Sequence, residues 1–408
     1  MSSSPLRETP QPVSRPARHA AGHHHPLLSA RHQLHRIAHL THLHLPAGLL
    51  RQVDRSGPLE SPWVAAGLGG LLAMSVLLTV RRRRRAGRAG LAAWLSGLTP
   101  LTGLAGLNVY VGYVPTLPAL LGDLPSPGRG GGSQVAKLMT GAPGLDIPPS
   151  PAYVYLPPGY DDAGNAARRH PVVYLLHGYP GGPSDWFRGA KVQQVMDAML
   201  RDRLVQPMIV VAPDASGGWL HDSEMLNQGG GPQVETCLTQ MVVGAVDGRY
   251  RMVADRAGRA IGGMSSGGYG ALNLGLRHQD RYSVILSEMP YGAPGPVTWS
   301  LLGGSHALWL ANSSRRYIPT MAFHHPMAVD LLAGSRDRTR AEAARLARML
   351  AAHGQEAVDT VTPDANHTWR GARAELPYAL AFASRHLIAP RGGRPPPANA
   401  APGLAGSA

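Results

Sequence analysis

The alternation of apolar and polar positions divides this chain into regions of different period. Residues 63–80 form an apolar run without a charge, WVAAGLGGLLAMSVLLTV, and a second apolar run spans 91–114, interrupted by Pro100. Each approaches the roughly 20 residues that a helix needs to cross a hydrocarbon core. Beyond residue 150 the apolar runs shorten and alternate with amphipathic stretches. Residues 152–156, 172–176, 208–211, 260–261, 284–286, 328–332 and 360–362 read as buried strands, with helical segments between them. Strands alternating with helices predict a mostly parallel sheet covered on both faces, an α/β fold. The segment after Asp337 illustrates the helical pattern. Thr339 and Glu342 read as a capping box, Ala343, Leu346, Ala347 and Leu350 as an apolar stripe, and Gly354 as the stop.

The flanks read differently. Residues 1–60, rich in Pro, Arg and His, are expected to be a disordered tail, 116–149 a linker with a Gly-rich stretch, and 391–408 a second disordered tail. Nine of the 19 histidines fall between His19 and His44, and His32, His35, His39 and His42 would share one face of a helix. A metal-binding tail competes there with a plain extension, and no Cys or paired carboxylate completes a ligand set. Arg81–Arg85 and Arg88 sit between the two apolar runs. A pair of buried helices in a soluble protein does not account for them, whereas a transmembrane hairpin over 61–115 puts them in a short cytoplasmic loop. The region after Val114 is then extracytoplasmic. A cleaved signal peptide fits less well, because the charges follow the first apolar run, and an internal signal over 91–114 would put the downstream domain on the same side.

Composition and charge narrow the function. The formal net charge is +14, but residues 1–149 hold 15 Lys and Arg against 5 Asp and Glu, and residues 150–390 hold 22 against 20. A nucleic-acid groove would show its excess inside the folded domain, so nucleic acid is not an expected partner. The single cysteine, Cys237, makes no internal disulfide and lies in an apolar pattern that suits a packed core.

The chemistry centres on Gly263-Met264-Ser265-Ser266-Gly267, which follows a strand-like run and leads into an Ala- and Leu-rich stretch. G-x-S-x-G is the nucleophile elbow, in which small residues two before and two after the serine let strand and helix pack closely. This frame selects Ser265, since a nucleophile at 266 would put Met264 at a small-residue position. The next backbone N–H, that of Ser266, lies at a helix N-terminus and suits an oxyanion. His177-Gly178-Tyr179-Pro180-Gly181-Gly182 follows an earlier strand and offers Tyr179 N–H as the second donor. Asp337 follows a later strand and His367 the last one, so the order Ser265, Asp337, His367 is that of an α/β-hydrolase triad. His177 is a rival base, expected instead to bond its own loop. His324 and His325 are expected as scaffold or pocket lining, and Asp330, Glu342 and Asp364 are rival carboxylates. Segments 221–232 and 290–305 are expected to act as lids. The chemistry needs no metal and no cofactor.

Residues 152–387 resemble the putative-esterase family of α/β-hydrolases, which includes feruloyl esterases, S-formylglutathione hydrolases and trehalose mycolyltransferases. The resemblance rests on Val154-Tyr155-Leu156-Pro157-Pro158-Gly159-Tyr160, Tyr174-Leu175-Leu176-His177-Gly178 with Asp185-Trp186, Val246-Asp247-Gly248-Arg249-Tyr250-Arg251, the elbow, and Asn366-His367-Thr368-Trp369. The stretch ending Asn108-Val109-Tyr110-Val111-Gly112-Tyr113 looks like the membrane-anchored actinobacterial members. Two positions depart from the pattern: Ser266 stands where the family often has Met, and Asn366 where it usually has Gly. The resemblance implies an α/β-hydrolase catalytic domain over 150–390 that hydrolyses or transfers the acyl group of a small-molecule, lipid or sugar ester. The competing expectation is a non-catalytic envelope-binding protein on the same scaffold.

Overall fold

The computed structural model describes residues 44–81, 85–121, 132–218 and 221–392. The chain divides into two compact units, and the first, Met1–Leu40, lies outside the described residues together with most of the His-rich stretch and the Gly-rich stretch around 130.

The second unit is built on one eight-stranded sheet. Its strands are β1 (Gln134–Ala142), β2 (Ile147–Leu156), β3 (Val172–Leu176), β4 (Ile209–Ala212), β5 (Arg259–Met264), β6 (Val284–Glu288), β7 (Ala328–Gly334) and β8 (Glu356–Thr362), in the spatial order β1-β2-β4-β3-β5-β6-β7-β8. β1 and β2 are antiparallel to their neighbours, and all pairings from β4 to β8 are parallel. β3, β5 and β6 are buried along their whole length, as strands covered on both faces must be.

Among the described residues, seven longer helices accompany the sheet. α1 (Pro62–Arg81) and α2 (Arg85–Val111) precede it. α3 (Val192–Arg201), α4 (234–249, with a π segment at Cys237–Val242), α5 (Ser266–Arg277), α6 (Arg340–Ala352) and α7 (Trp369–His386) follow its strands. α6 buries Ala343, Leu346, Ala347 and Leu350, the stripe read from the sequence, and Gly354 ends it at φ +73°. Cys237 is buried in the core, and burial pushes its thiol up to about 11.

Several sequence expectations are corrected. The capping box does not form: Thr339 has helical angles (φ −84°, ψ −7°) where an N-cap is extended, its hydroxyl donates to Asp337 Oδ1 (2.8 Å), and Glu342 faces Arg315 (3.6 Å). Residues 134–142, assigned to the linker, form an edge strand whose Ala136 and Leu138 pack on the core while Lys137 and Met139 face outward. A lysine on the outer face is a common guard for such an edge. The tail assigned to 1–60 ends earlier: Ala47–Val53 is a short helix with Leu49 and Val53 buried, and Glu60 is fully buried. At the other end, Arg391–Gly392 pairs with Arg168–Arg169.

α1 and α2 run antiparallel, with Trp94 Nε1 donating to Ser75 Oγ (3.1 Å) and Asn108 Nδ2 donating to the carbonyls of Leu59 (2.9 Å) and Val114 (2.8 Å). Among the described residues α1 is the one helix long and apolar enough to cross a membrane. α2 takes Arg85 and Arg88 into its first turns and continues through Pro100.

Candidate active site

The strands β3, β5, β7 and β8 bring four loops to one rim of the sheet. At the end of β5 the chain turns into α5 through Ser265, whose φ of +60° and ψ of −117° are costly for a residue with a side chain. The turn is fixed by Ser265 N–H donating to Glu288 O (3.0 Å) and by Tyr269 N–H donating to Ser265 O (2.9 Å). A methyl group at Gly263 would lie 2.3 Å from Gly267 O, and one at Gly267 only 2.2 Å from Leu176 O. Both small residues of the elbow are therefore required by contact, as the sequence implied.

Ser265 Oγ lies 2.8 Å from His367 Nε2. On the other side of the ring, His367 Nδ1 lies 3.2 Å from Oδ1 and 3.0 Å from Oδ2 of Asp337. The loops after β7 and β8 are stitched together by Arg336 N–H to Ala365 O (3.0 Å) and Asp364 N–H to Ser335 Oγ (2.9 Å). Asp337 also accepts from Thr339 N–H (2.7 Å) and the Thr339 hydroxyl. Burial pushes its carboxyl up, but the bonds from His367 and Thr339 outweigh burial and hold it below the ordinary carboxylate range. A charged carboxylate is the form that fixes the imidazole tautomer and stabilises imidazolium.

The rival groups are engaged elsewhere. His177 is buried, with Nε2 accepting from Ala215 N–H (3.0 Å), so Nδ1 carries the proton and donates to Gly178 O (2.9 Å). His324 and His325 come just before β7, at the opposite rim, where their N–H groups meet Gln279 Oε1; they are scaffold and line no part of this site. Asp364 pairs with Arg336 at the surface (2.6 Å), and Asp330 is buried within β7. Asn366 has ordinary negative φ, so nothing in its backbone demands glycine. Ser266 is buried at the start of α5.

The loop after β3 sits against the serine, since a methyl group at Gly178 would be 3.4 Å from Ser265 Cβ. That loop is tied down by Asp185, whose Oδ2 accepts Gly182 N–H (2.7 Å). Asp185 Oδ1 in turn accepts the Tyr113 hydroxyl (2.6 Å), which comes from the segment leaving α2. Tyr113 also lies near Trp369 (ring centroids 6.4 Å), and Trp369 meets Trp186 edge-on at 5.4 Å. Sequence reasoning missed Tyr113 and Thr339 as supports of the site. The two segments expected to act as lids are joined by Tyr291 Oη donating to Glu224 (2.8 and 2.9 Å), and Tyr291 stacks on Tyr269 of α5.

A mostly parallel eight-stranded sheet with a serine on a strand-to-helix elbow defines the α/β-hydrolase class. Within that class, the chain belongs to the family described as Putative esterase, whose profile matches residues 149–383. It is 30% identical over 135 residues to an uncharacterized protein of Corynebacterium glutamicum, covering 33% of this chain and 31% of that protein. It is 28% identical over 128 residues to an esterase of Mycobacterium tuberculosis, covering 31% and 27%. These matches span about a third or less of the relatives' length. Among solved structures, a ferulic acid esterase superposes with a TM-score of 0.54 at 22% identity, over 63% of this chain and 100% of that one. An S-formylglutathione hydrolase from Agrobacterium tumefaciens gives 0.53 at 17% identity, over 65% and 100%. At such identities the likeness is one of fold.

Proposed function

We propose that this protein is a serine esterase held at the cytoplasmic membrane by its N-terminal helices, with the catalytic domain on the extracytoplasmic side. The observation that carries the enzymatic reading is the 2.8 Å approach of Ser265 Oγ to His367 Nε2, with Asp337 on the far nitrogen. Ser265 Oγ attacks the ester carbonyl carbon as His367 Nε2 takes the hydroxyl proton. The resulting oxyanion receives the backbone N–H groups of Ser266 and Tyr179, each commonly worth about 3 kcal/mol. His367 then protonates the departing alkoxide, leaving an acyl group on Ser265. A water molecule, or an alcohol when the acyl group is transferred, attacks this acyl-enzyme and gives its proton to His367, which returns it to Ser265. The anchoring is supported by α1, by the arginines between the two apolar runs, and by the exposed apolar side chains of both helices.

A fluorophosphonate probe is expected to label the protein at Ser265, and Ser265→Ala to abolish labelling and ester cleavage; labelling that survives the substitution refutes the assignment. Alkaline phosphatase fused after Gly122 is expected to be active, and an inactive fusion reverses the orientation. A chain-length series of p-nitrophenyl esters, assayed with and without trehalose, separates hydrolysis from transfer to a sugar hydroxyl.

A further inference from the structure

Where the two N-terminal helices join the catalytic domain lies a cavity of about 860 Å³ that the reaction does not use. Its walls come from residues 52–57 ahead of α1, 115–119 beyond α2, and 187–195 leading into α3. Among the described residues, Arg55, Arg188 and Lys191 contribute to this lining and no Asp or Glu does, while Gln52, Thr116 and Gln194 add neutral polar groups. Lys191 is largely withdrawn from solvent, with Nζ donating to Arg55 O (2.8 Å). Its nearest carboxylate oxygen, Glu60 Oε2 at 3.8 Å, belongs to a group already held by Arg373 at 2.7 and 3.1 Å. Burial, and next the Arg373 charge, pull Lys191 down to about 8, against the opposing attraction of Glu60 and Asp54. Arg188 also faces Asp185, but Arg370 and Arg373 add their charges beside Lys191, so around the hollow Arg55, Arg188, Lys191, Arg370 and Arg373 outnumber Asp54, Glu60 and Asp185.

Its place along the chain gives a second, independent indication. The walls begin a few residues outside the ends of both helices, at Gly57 before Pro62 and at Pro115 after Val111. Trp63 and Tyr110 are exposed at that same end of the antiparallel pair, and Leu117, Leu120 and Leu121 are exposed beside the cavity. Aromatic rings, apolar side chains and cations brought together in this way mark the level of lipid headgroups at a bilayer surface. Arg and Lys at such a level bind phosphate oxygens by charge-assisted hydrogen bonds.

We infer that this cavity holds the phosphodiester headgroup of an anionic phospholipid from the leaflet on the catalytic domain's side, with Arg55, Arg188 and Lys191 supplying the positive charge. The inference rests on the membrane-anchored reading, but not on which side of the membrane the domain faces.

The full chain in dodecyl maltoside is titrated calorimetrically with dihexanoyl phosphatidylglycerol, dihexanoyl phosphatidylcholine and inorganic phosphate. The expected result is one phosphatidylglycerol per chain, bound at least tenfold more tightly than either of the others. Lys191→Gln is expected to weaken it fivefold or more, with fluorophosphonate labelling of Ser265 unchanged. Arg55→Gln, on an exposed side chain, is expected to weaken it as well. Equal binding of phosphatidylcholine, inorganic phosphate binding as tightly as phosphatidylglycerol, or phosphatidylglycerol binding unaltered in both variants would each overturn the proposal. A carbonate wash keeps the two readings apart. Selective phosphatidylglycerol binding by a chain stripped from membranes overturns the anchor and leaves the headgroup site; a retained chain without selectivity does the reverse.

Discussion

Three carboxyls beneath the catalytic rim are held in an unusual state. Glu288, Glu375 and Asp330 are buried, and burial is the largest influence raising each of them. The charges of Glu375 and Asp330 push Glu288 further up, and Asp330 reaches about 7. After burial, the charge of Asp337 is the next influence that pushes Glu375 up. Because these groups hold their protons more tightly folded than unfolded, the stability linked to them is complete below the ordinary carboxylate range. It is lost as pH rises, for Asp330 through about 7. Glu288→Gln removes one titrating group at little steric cost, so its thermal midpoint should fall less between pH 5 and pH 8 than that of the parent; an equally steep fall contradicts this account. Thr339→Val keeps the backbone N–H to Asp337 and loses the hydroxyl. About 1–2 kcal/mol of support for the carboxylate should go with it, seen as a roughly tenfold lower kcat/KM with fluorophosphonate labelling retained. Gly267→Ala drives a methyl group to 2.2 Å from Leu176 O and should leave no soluble, labelled protein in an expression and probe assay.

At the scale of elements, the site depends on a connection that begins outside the catalytic domain. Tyr113 bonds Asp185, Asp185 bonds Gly182, and this fixes the loop that carries Tyr179, the proposed second oxyanion donor. Tyr113→Phe keeps the ring against Trp369 and removes the hydroxyl. Acting as a positioning residue, Tyr113 should lower kcat several-fold on mutation while leaving KM near its parent value; an unchanged kcat would reduce it to a packing group. How far such features could be read beforehand follows from their range along the chain. The elbow, Asp337 and His367 each occupy a short motif at a strand end, so period and order sufficed. β1 was hidden because its alternating stretch is brief and prolines follow at 143, 148, 149 and 151. The capping box failed because Thr339 already has helical backbone angles, which turn its hydroxyl toward the preceding Asp337 carboxylate and away from the free N–H groups of the first turn. The Tyr113–Asp185 bond spans 72 positions, and nothing local announces it.

At the scale of the whole molecule, the N-terminal segment is wedged into the catalytic domain by a fully buried ion pair. Arg373 of α7 donates to Glu60 Oε1 and Oε2, to Gly112 O (2.7 Å) and to Gly189 O (2.8 Å). Burial pushes Glu60 up, but Arg373, with the Gly57 N–H and Lys191, more than compensates and holds it below the ordinary carboxylate range, so this contribution is present above that range and is lost on acidification. Glu60→Gln leaves the guanidinium buried without its counter-charge and should cost about 3–5 kcal/mol, read as a lower thermal midpoint. Glu60→Leu combined with Arg373→Met should recover much of that loss, since a buried pair is often matched by apolar side chains of similar size. The short passage from Val111 to Pro115, pinned at Gly112 and Tyr113, leaves the catalytic body no leash on which to swing. On the proposed anchoring, with α1 and α2 upright in a bilayer, the mouth above Ser265 would keep a fixed stand-off and tilt, and an ester would have to come up to that level to be cleaved. Lengthening the passage with a few glycines would turn a mounted tool into a tethered one, and would widen the layer of substrate within reach.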